Sequence, residues 1–520
     1  MYRISQIKLA LDEPKELLPK KIKKKLGNNI DIKDYKIVKE SIDARDKSDI
    51  RLVYTVDFDV EQRKGEKPAL KPNPKKNLSI APDMRYKAAV PGMRELKHRP
   101  VIVGFGPCGI FCALILAQQG YRPIVLERGK CVSERAEDVQ RFWNGGDLNT
   151  ESNVQFGEGG AGTFSDGKLT TGIKDTRIHK VLSEFVSAGA PEEILYKNKP
   201  HIGTDLLRDV VVNLREEIIR LGGEIRFSSK LIGIDAPSGE IKAAEVQDVL
   251  SGKSYVLETE KLVLAIGHSA RDTFRYAQEL GIEMSAKPFS IGVRIEHPQE
   301  MVDEAQYGKT KGLPPAEYKL SYRCKNGRGV YTFCMCPGGE VIMSSSQEGG
   351  VVTNGMSNNS RDSGTANSGL LVDVRVSDFD GDDALAGVEF QEKYERLAYK
   401  NGGGRYAFPK TCWAEFRDGD EGAKAVIDSL PDFAVESIRE AMPHLGRKLK
   451  GFDADNAVMK AVETRSSSPV RFFRDDKLQG SIKGLYPAGE GAGYAGGITS
   501  AACDGIKVAE RIIEKFYFKG

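Results

Sequence analysis

The chain is poor in features that mark secreted, disulfide-rich and metal-binding proteins. Its 520 residues include 2 Trp and 8 Cys, and the cysteines are scattered along the chain. Scattered cysteines in a long chain predict reduced thiols and no disulfide framework. The sequence also lacks a Ser/His/Asp set and the ligand spacings of metal sites, so we expect no bound metal.

Targeting and membrane segments are also missing from the pattern. The N-terminus, MYRISQIKLALDEP, has neither an apolar core nor a cleavage site for secretion, which predicts a cytoplasmic protein. One uncharged stretch, residues 101–117, is nearly long enough to span a membrane. Its three glycines and one proline favour a buried strand, turn and helix, so we expect no membrane partner.

The length predicts two or three domains. Residues 1–60 have the pattern of a small α+β unit, with strands at 2–11, 35–41 and 51–60 and a helix at 13–26. A segment rich in Lys, Pro and Asn follows, at residues 61–91, and is typical of a linker. We therefore place domain boundaries that give the segments 1–92, 93–284, 285–460 and 461–520.

The later segments differ in their periodicity. A βαβ pattern begins at Pro100, and a helix followed by one strand is predicted between residues 204 and 234. Strands predominate over residues 285–374, helices over 380–450, and a strand, loop and helix close the chain. This order predicts one dinucleotide domain interrupted by a β-rich α+β domain.

The first chemical motif is GFGPCG, which follows the strand VIV. Gly104 suits a tight turn, Gly106 lets backbone N–H groups approach a pyrophosphate, and Gly109 lets the helix pack against the strand. Pro107 opens the helix, whose N-terminus favours phosphate. Glu127 and Arg128 end the next strand, where an acidic residue accepts hydrogen bonds from ribose hydroxyls.

A late segment favours FAD over NAD. In PAGEGAGYAGGI an acidic residue follows a strand, where it is expected to bind the ribitol of FAD. The N-terminus of the next helix is expected to face the pyrimidine end of the flavin. The segment LVLAIGHSARD resembles a strand end that contacts the same cofactor from the other side. The cofactor-binding residues predicted here are Leu231, Ala265, Gly267, Gly489, Glu490, Gly497 and Ile498.

A further glycine segment, FGEGGAGTFSDGK, is predicted to lie along the pyrophosphate and the flavin ring. A surface loop is the alternative interpretation. The cofactor-binding residues predicted in it are Gly159, Gly160, Gly162, Thr163 and Lys168.

Together these motifs resemble the FAD-dependent oxidoreductase superfamily, and the chain is similar to a bacterial family of uncharacterised FAD-dependent dehydrogenases. The resemblance also covers SIDARDKSDIRLVYTVD, GVRIEHPQ, CMCPGGEV, NGMSNNSRDSGTANS and ETRSSSPVRF. It implies an α/β fold with a Rossmann-type FAD-binding domain of the second glutathione-reductase family. It also implies a β-rich α+β substrate domain, a small N-terminal α+β domain and non-covalently bound FAD.

The reaction we expect is hydride transfer between flavin N5 and an organic small-molecule substrate, by an FAD-dependent oxidoreductase or dehydrogenase. No second glycine-turn unit is evident for NAD(P)H, which implies an external electron donor or acceptor. A flavin monooxygenase is an alternative, because a strand-rich insert also occurs in those enzymes. The pattern leaves the substrate, the direction and the oligomeric state open.

The catalytic residues are not identified by any motif, and Lys168, Arg294 and Arg465 are the candidates. Each could orient a carboxylate or stabilise an anionic flavin. Arg294 shares a strand face with Glu296, which also fits a simple ion pair. Three polar residues of a long predicted loop, Asn354, Arg361 and Asn367, are further possibilities for a ligand clamp.

Cys334 and Cys336 have the period-2 spacing that places both thiols on one face of a strand. A buried strand face is the favoured interpretation, and a redox-active or flavin-facing thiol is the alternative.

A flavin-dependent RNA-modifying or RNA-binding protein is the rival from another class. The first 100 residues contain 25 basic and 15 acidic residues, although the net charge of the whole chain is only +3. The run KKIKKK could contact RNA, but it equally fits the solvated side of a short helix. Only Tyr54 and Phe58 are available for stacking on the strand RLVYTVDFDV, so nucleic acid is not the expected partner.

Overall fold

A computed structural model describes residues 1–27, 30–61 and 70–519. The N-terminal unit is an antiparallel sheet in the order β2-β3-β1-β4 with one helix against it. Its elements are β1 (Tyr2–Leu9), α1 (Leu18–Leu26), β2 (Ile32–Asp43), β3 (Arg51–Val60) and β4 (Leu78–Ile80).

Two expectations for this unit were wrong. The helix begins at Leu18 and not at residue 13, because Pro19 lacks an N–H and suits only the first helical turn. The predicted linker contains β4, which pairs with β1 and completes the sheet. Part of that linker, residues 62–69, lies outside the described residues.

The second segment contains nine strands and five α-helices, and four of the strands belong to a parallel sheet. Its strands are β5 (Arg94–Leu96), β6 (Val101–Val103), β7 (Ile124–Leu126), β8 (Glu224–Arg226), β9 (Ser229–Asp235), β10 (Ala243–Asp248), β11 (Ser254–Glu258), β12 (Leu262–Leu264) and β13 (Met284–Ala286). Its helices are α2 (Pro107–Gln118), α3 (Val132–Trp143), α4 (Arg177–Ser187), α5 (Thr204–Arg220) and α6 (Arg271–Glu279).

The third segment contains most of a six-stranded antiparallel sheet and five helices. Its strands are β14 (Phe289–Pro298), β15 (Ser321–Arg323), β16 (Gly329–Cys336), β17 (Glu340–Met343), β18 (Thr353–Met356), β19 (Thr365–Val374), β20 (Lys410–Cys412) and β21 (Val458–Glu463). Its helices are α7 (Gln299–Tyr307), α8 (Ala386–Asn401), α9 (Trp413–Asp418), α10 (Lys424–Ile427) and α11 (Asp432–Lys448).

The last segment returns the chain to the parallel sheet. It consists of β22 (Val470–Phe472), β23 (Leu485–Pro487), α12 (Ile498–Ile513) and β24 (Phe516–Phe518). The five-stranded parallel sheet has the order β23-β12-β6-β7-β8, so a strand from near the C-terminus pairs with one from the middle of the chain. The six-stranded sheet has the order β15-β16-β19-β14-β21-β20.

These observations confirm a mixed α/β fold. The uncharged stretch forms β6, a turn and α2, and ten of the twelve residues of α2 are buried against the sheet and α12. Among the described residues, no helix is long and apolar enough to cross a membrane. The predicted boundary at residue 460 falls inside β21, which pairs with β14 and β20.

The single strand predicted near residues 224–234 was wrong. It is two strands in two sheets, β8 in the parallel sheet and β9 in a three-stranded antiparallel sheet. Ser228 separates them with a left-handed backbone (φ 48°), which breaks the extended run.

Candidate functional site

One cavity of about 1130 Å³ lies between the parallel sheet and the six-stranded sheet. The carboxyl ends of four parallel strands reach it, through Val103, Leu126, Ala265 and Ala488. Ligands of open α/β sheets bind outside the carboxyl ends of the strands. The cavity exceeds the ~300–1,000 Å³ of common small-molecule pockets and has room for a ligand larger than those.

The glycine turn between β6 and α2 forms part of the cavity wall. Gly104 has a left-handed backbone (φ 100°), and a Cβ there would lie 2.3 Å from the Ala265 carbonyl oxygen. Gly106 precedes α2 in extended conformation, and Pro107 occupies the first turn of that helix. The unpaired N–H groups of the first turn of α2 therefore lie at the cavity, where they favour an anion.

Gly109 does not line the cavity. An added Cβ at this position would lie 1.9 Å from the Gly104 carbonyl oxygen, so this glycine lets α2 approach the turn. The packing role deduced from the sequence fits this geometry, and the position contributes to the site only through the shape of the turn.

Glu127 lines the cavity at the end of β7 and is buried. Its carboxylate accepts hydrogen bonds from the backbone N–H groups of Phe105 (2.8 Å), Gly129 (2.9 Å) and Gly157 (3.0 Å). A carboxylate has about four acceptor positions, so one remains for a ligand hydroxyl. Contact with a ribose stays a prediction, and the main task of Glu127 here is to fix three loop amides.

Arg128 also lines the cavity, beside Glu127. It is bound to Glu151 (2.5 Å) and Asp272 (2.9 Å), and its guanidinium stacks on Phe156 at 4.3 Å from the ring centre. These contacts hold the side chain at the carboxyl end of β7.

The second glycine segment crosses the first. The Gly159 N–H donates to the Phe105 carbonyl (2.8 Å), and an added Cβ at Gly160 would lie 3.0 Å from the Gly106 Cα. Gly160, Gly162 and Lys168 line the cavity. Gly159 and Thr163 do not line it. They pack against each other, since an added Cβ at Gly159 would lie 2.1 Å from the Thr163 hydroxyl, which donates to the Glu158 carbonyl (3.1 Å).

The late segment closes the cavity from the other side. Glu490, Gly497 and Ile498 line it, and α12 begins at Ile498 after a left-handed Gly497 (φ 83°). Burial raises the pKa of Glu490 to about 7, partly offset by a hydrogen bond from the Gly497 N–H. Gly489 is outside the lining, and its N–H donates to Asp504 (2.8 Å).

The remaining predicted cofactor residues, Leu231, Ala265 and Gly267, all line the cavity. The three glycine segments and the end of β12, which lie up to about 390 residues apart in sequence, therefore meet around one space. This arrangement is a cradle in which the protein itself excludes side chains at Gly104 and Gly160, and in which Gly106 leaves the space before α2 open.

Arg294 is not in the cavity wall. It is fully buried, and all five of its N–H donors are used: by Glu463 (twice), Asn354 (3.1 Å), Asn367 (3.0 Å) and the Cys334 carbonyl (2.9 Å). The expected Arg294–Glu296 ion pair is wrong, since Glu296 pairs with Lys460 (2.7 Å).

Arg465 does line the cavity, but its donors are also occupied. They bond to Glu395 (2.9 and 3.1 Å), Ser269 (3.0 Å), Ser346 (2.6 Å) and Gln347 (3.4 Å). No N–H of Arg465 is therefore left for a substrate carboxylate in this arrangement.

Lys168 is the one catalytic candidate of the three with donors to spare. Its ammonium carries three N–H donors, and the Met335 carbonyl accepts one of them. Because Lys168 lines the cavity, the remaining N–H groups are placed to bind an anionic or carbonyl oxygen there.

The long polar loop is shorter than predicted, because Asn354 and Asn367 lie on β18 and β19 and hold Arg294. Arg361 is buried and bonds to Asp166 (2.6 Å) and Glu317 (3.0 Å), so it ties this loop to the second glycine segment. These residues hold the cavity wall together rather than clamp a ligand.

The sequence analysis missed Glu395 on α8, which is 1% exposed. Its carboxylate accepts hydrogen bonds from Arg271 (2.8 Å), Arg465 (2.9 Å) and the Thr464 hydroxyl (2.6 Å). Nothing in the local sequence marks it. It also missed Thr353, a cavity residue whose buried hydroxyl has no hydrogen-bond partner among the described residues.

Cys334 and Cys336 lie in different surroundings. Cys336 is fully buried, whereas Cys334 lines the cavity at a break in the pairing of β16 with β19. The favoured interpretation of a buried strand face therefore applies to Cys336 alone.

The features of the cavity fit a flavin dinucleotide. Two helix N-termini and the side-chain-free cradle suit a pyrophosphate, Glu127 retains an acceptor position, and Thr353 offers an unused hydroxyl. Glu490 follows β23 as a ribitol-binding acid would.

Two families and one curated relative match the chain. Residues 288–466 match the family described as "FAD-dependent protein, C-terminal domain-like", and residues 1–59 match "Domain of unknown function (DUF8436)". An uncharacterized protein of Clostridium beijerinckii is 49% identical over 535 residues, which cover 99% of each chain.

Solved structures of flavin enzymes are more distant. The glycerol-3-phosphate dehydrogenase from Bacillus halodurans, complexed with FAD, is 12% identical over 81% of this chain, with a TM-score of 0.35. This chain spans 64% of that enzyme, just under two thirds of its length. The flavin-dependent brominase Bmp2 is 13% identical over 79% of this chain and 77% of its own, with a TM-score of 0.36. Similarities at these TM-scores say nothing about the reaction.

Proposed function

Because the chain belongs to a family of FAD-dependent proteins and uses FAD, we propose that it is an oxidoreductase that transfers a hydride between flavin N5 and an organic substrate. FAD, when bound, supplies the two-electron chemistry, and the protein supplies position, charge and exclusion of water. The observation that carries the proposal is that the glycine cradle and the six-stranded sheet share one continuous cavity.

We assign the two sides of this cavity to different ligands. The side formed by the parallel sheet, with Gly104, Gly106, Gly160 and Glu490, would hold the cofactor. This is the Rossmann-type domain, to which residues 93–284 and 461–520 would contribute. The inserted segment, residues 285–460, would then supply the substrate side.

The substrate side is lined by polar groups on the second sheet. Ser290 and Tyr331 share a hydrogen bond (2.7 Å) at the cavity wall, and Thr332 lies beside them. Lys168 reaches the same region, where it bonds to the Met335 carbonyl of β16. Hydroxyls and one ammonium group favour an oxygen-bearing substrate, such as a carboxylate or carbonyl compound.

Arg294 and Arg465 would act as positioning residues. Arg294 holds β14, β18, β19 and β21 together behind the wall, and Arg465 joins the end of β21 to α8 through Glu395. Because both guanidinium groups are fully bonded, substitution of either would loosen the wall and would not remove a direct ligand contact.

The proposal includes an external electron partner, since the glycine turn at Gly104 to Gly109 is the only such unit that the sequence pattern predicts. We place this partner and the substrate in the same cavity, at different stages of the reaction. A flavin monooxygenase is the alternative outcome, in which molecular oxygen is the second substrate.

An anaerobic screen tests the function. The purified protein is mixed with carboxylic acids, amino acids, alcohols and enones, and bleaching of the oxidised flavin band is followed. We expect bleaching by a compound class that carries a carboxylate or carbonyl. The variant Lys168→Met should retain FAD but slow this step by roughly 100- to 1,000-fold, the usual cost of one lost oxyanion donor.

Lys460→Met is the matched control, because Lys460 lies outside the cavity lining and pairs with Glu296. Bleaching should be unchanged in this variant. If no reduced or oxidised product forms without oxygen, and a hydroxylated product forms with it, the dehydrogenase proposal fails and the monooxygenase takes its place.

The N-terminal unit is better explained as a structural appendage than as an RNA-binding module. In the run KKIKKK on α1, Lys21 pairs with Glu13 (2.6 Å) and Lys23 pairs with Asp31 (2.9 Å). The Lys25 ammonium donates to the Ser5 carbonyl (2.9 Å). Residue Glu40 exchanges backbone hydrogen bonds with the loop at residues 196–198 (2.8 Å each). These contacts support a unit that docks on the second segment and in which part of the basic run is already paired.

A further inference from the structure

The two cysteines of β16 lie at an irregularity of the six-stranded sheet. The register between β16 and β19 jumps from the pair Phe333–Gly369 to the pair Cys336–Asn367, which leaves an extra residue on β16. Cys334 sits in this bulge with a left-handed backbone (φ 42°). Such a conformation is uncommon for residues other than glycine, and bulges often redirect a side chain next to an active site.

The bulge gives the two thiols different environments. Cys334 lines the cavity that we assign to the cofactor and the substrate, whereas Cys336 is fully buried behind it. The Cys336 thiol donates to the Cys334 carbonyl (3.4 Å), and Arg294 donates to the same carbonyl (2.9 Å). An ideal Cβ on Gly355 would lie 2.4 Å from an Arg294 nitrogen and 2.9 Å from the Cys336 sulfur, so these two groups are neighbours.

Charges around the pair favour one thiolate and one thiol. The neighbouring Cys336 thiol, together with the positive charges of Arg294 and Lys168, lowers the pKa of Cys334, against the effect of burial. The pKa of Cys336 is raised by its hydrogen bond to Cys334 and by burial. A lowered pKa on the accessible thiol and a raised pKa on the buried one are typical of reactive dithiols.

A separate observation indicates that the cavity wall nearby is built for a ligand. Thr353 is 1% exposed, lines the same cavity and has a hydroxyl without a hydrogen-bond partner among the described residues. Its neighbour Asn354 accepts from Arg294 (3.1 Å), which links it to the Cys334 carbonyl. A buried hydroxyl without a partner costs free energy that a bound ligand can recover.

The spacing of the two residues permits a bond between their sulfur atoms. Two residues along a strand advance by about 6.6 Å at ~3.3 Å per residue. Cα atoms joined by a disulfide lie ~4.4–6.8 Å apart, so this advance falls within the permitted range.

We propose that Cys334 and Cys336 form a redox-active dithiol that exchanges two electrons with the flavin, so that the external electron partner of this protein is a thiol or disulfide compound. The proposal rests on the proposed function, because it needs bound FAD. In the forward step the Cys334 thiolate and the Cys336 thiol form one S–S bond and lose two electrons and one proton. FAD, when bound, would accept those two electrons together with that proton and a second proton from solvent.

Electron counting tests the proposal on the intact FAD-bound protein. The air-oxidised protein is titrated with dithionite without oxygen. We expect uptake of four electrons per FAD, two for the flavin and two for a disulfide. Cys334→Ser should take up only two, and Cys412→Ser, whose residue lies on β20 outside the cavity lining, should still take up four.

A thiol count gives a readout that does not depend on activity. After denaturation without reductant, the dithiothreitol-treated protein should show all 8 thiols and the air-oxidised protein should show six. A peptide map should place the lost pair at residues 334 and 336. This measurement uses the unchanged chain, so it holds even if a serine variant does not fold.

The outcomes separate the two proposals. A protein that binds no FAD contradicts the proposed function itself. A protein that binds FAD, takes up two electrons and keeps 8 thiols after oxidation overturns the dithiol proposal alone. Reduction of the flavin by dithiothreitol in the unchanged protein but not in Cys334→Ser would support the assignment of the external partner.

Discussion

Substitution of Gly106 is expected to weaken cofactor binding while leaving the stability of the fold nearly unchanged. Its backbone is extended with φ −81°, which any residue can adopt, and an added Cβ would meet nothing closer than the Gly160 Cα at 3.7 Å. Gly106→Ala should therefore change the free energy of unfolding by no more than about 0.5 kcal/mol. The added methyl group, however, occupies space at the α2 N-terminus where a phosphate would bind.

The expected loss of affinity follows from the hydrogen bonds at stake. A bond to a charged group contributes about 1.5–3 kcal/mol, so displacing the phosphate from one N–H should weaken FAD binding roughly 10- to 150-fold. Gly106→Val fills more of the space and should abolish measurable binding. Titration of the apoprotein with FAD, followed by quenching of flavin fluorescence, measures both variants.

Two further glycines serve as controls. Gly109→Ala places a Cβ 1.9 Å from the Gly104 carbonyl oxygen, so overpacking should cost about 1–3 kcal/mol of stability and lower the thermal midpoint of the apoprotein. Gly329→Ala meets nothing closer than 3.6 Å, lies outside the cavity and should change neither property. A folded Gly106→Val protein that binds FAD with unchanged affinity would refute this assignment of the glycine turn.

Three other predictions concern buried carboxylates and the N-terminal unit. Glu395→Gln leaves Arg271 and Arg465 without a full counter-charge and should cost about 3–5 kcal/mol in urea unfolding, while the surface variant Glu217→Gln should cost no more than about 0.5 kcal/mol. Burial alone would raise the pKa of Glu395, but the two arginines hold it below its usual value, so this difference should shrink as the pH falls below about 4. Burial raises the pKa of Glu490 to about 7, so charging it destabilises the apoprotein as the pH rises from about 4 to 7; Glu490→Gln should melt higher than the unchanged protein at pH 8 and equally at pH 4. Binding of a labelled tRNA pool should be weaker than micromolar at physiological salt and insensitive to deletion of residues 1–92; tight, steeply salt-dependent binding that this deletion removes would support an RNA-directed protein.

The sequence was informative where local geometry demands a particular residue. The turn at Gly104 allows only a residue without a side chain, and the apolar helix α2 must be buried on all sides, so both could be predicted from a few neighbouring letters. The late segment with Glu490 was predicted from its pattern, in which an acidic residue follows a strand and precedes a glycine-rich helix start. Fourteen of the eighteen predicted cofactor residues line the cavity, and contact with the cofactor stays a prediction for each of them.

The sequence was uninformative where partners come from distant segments. Glu463 binds Arg294 across 169 positions, and Glu395 binds Arg271 across 124, so no periodicity encodes either pair. The neighbour two positions along the strand, Glu296, was the natural but wrong choice for Arg294. The bulge that brings Cys334 to the cavity is likewise set by pairing with β19, since a regular strand would give Cys334 and Cys336 the same surroundings.

The flavin content of the purified protein tests the central claim most directly. The protein is purified without added flavin, or reconstituted with FAD and dialysed, and the cofactor released by heat is identified by chromatography and counted per chain. We expect a yellow protein that releases one FAD per chain, because the cavity offers one glycine cradle and no covalent attachment is predicted. A colourless, folded protein that takes up no FAD in titration would contradict the account.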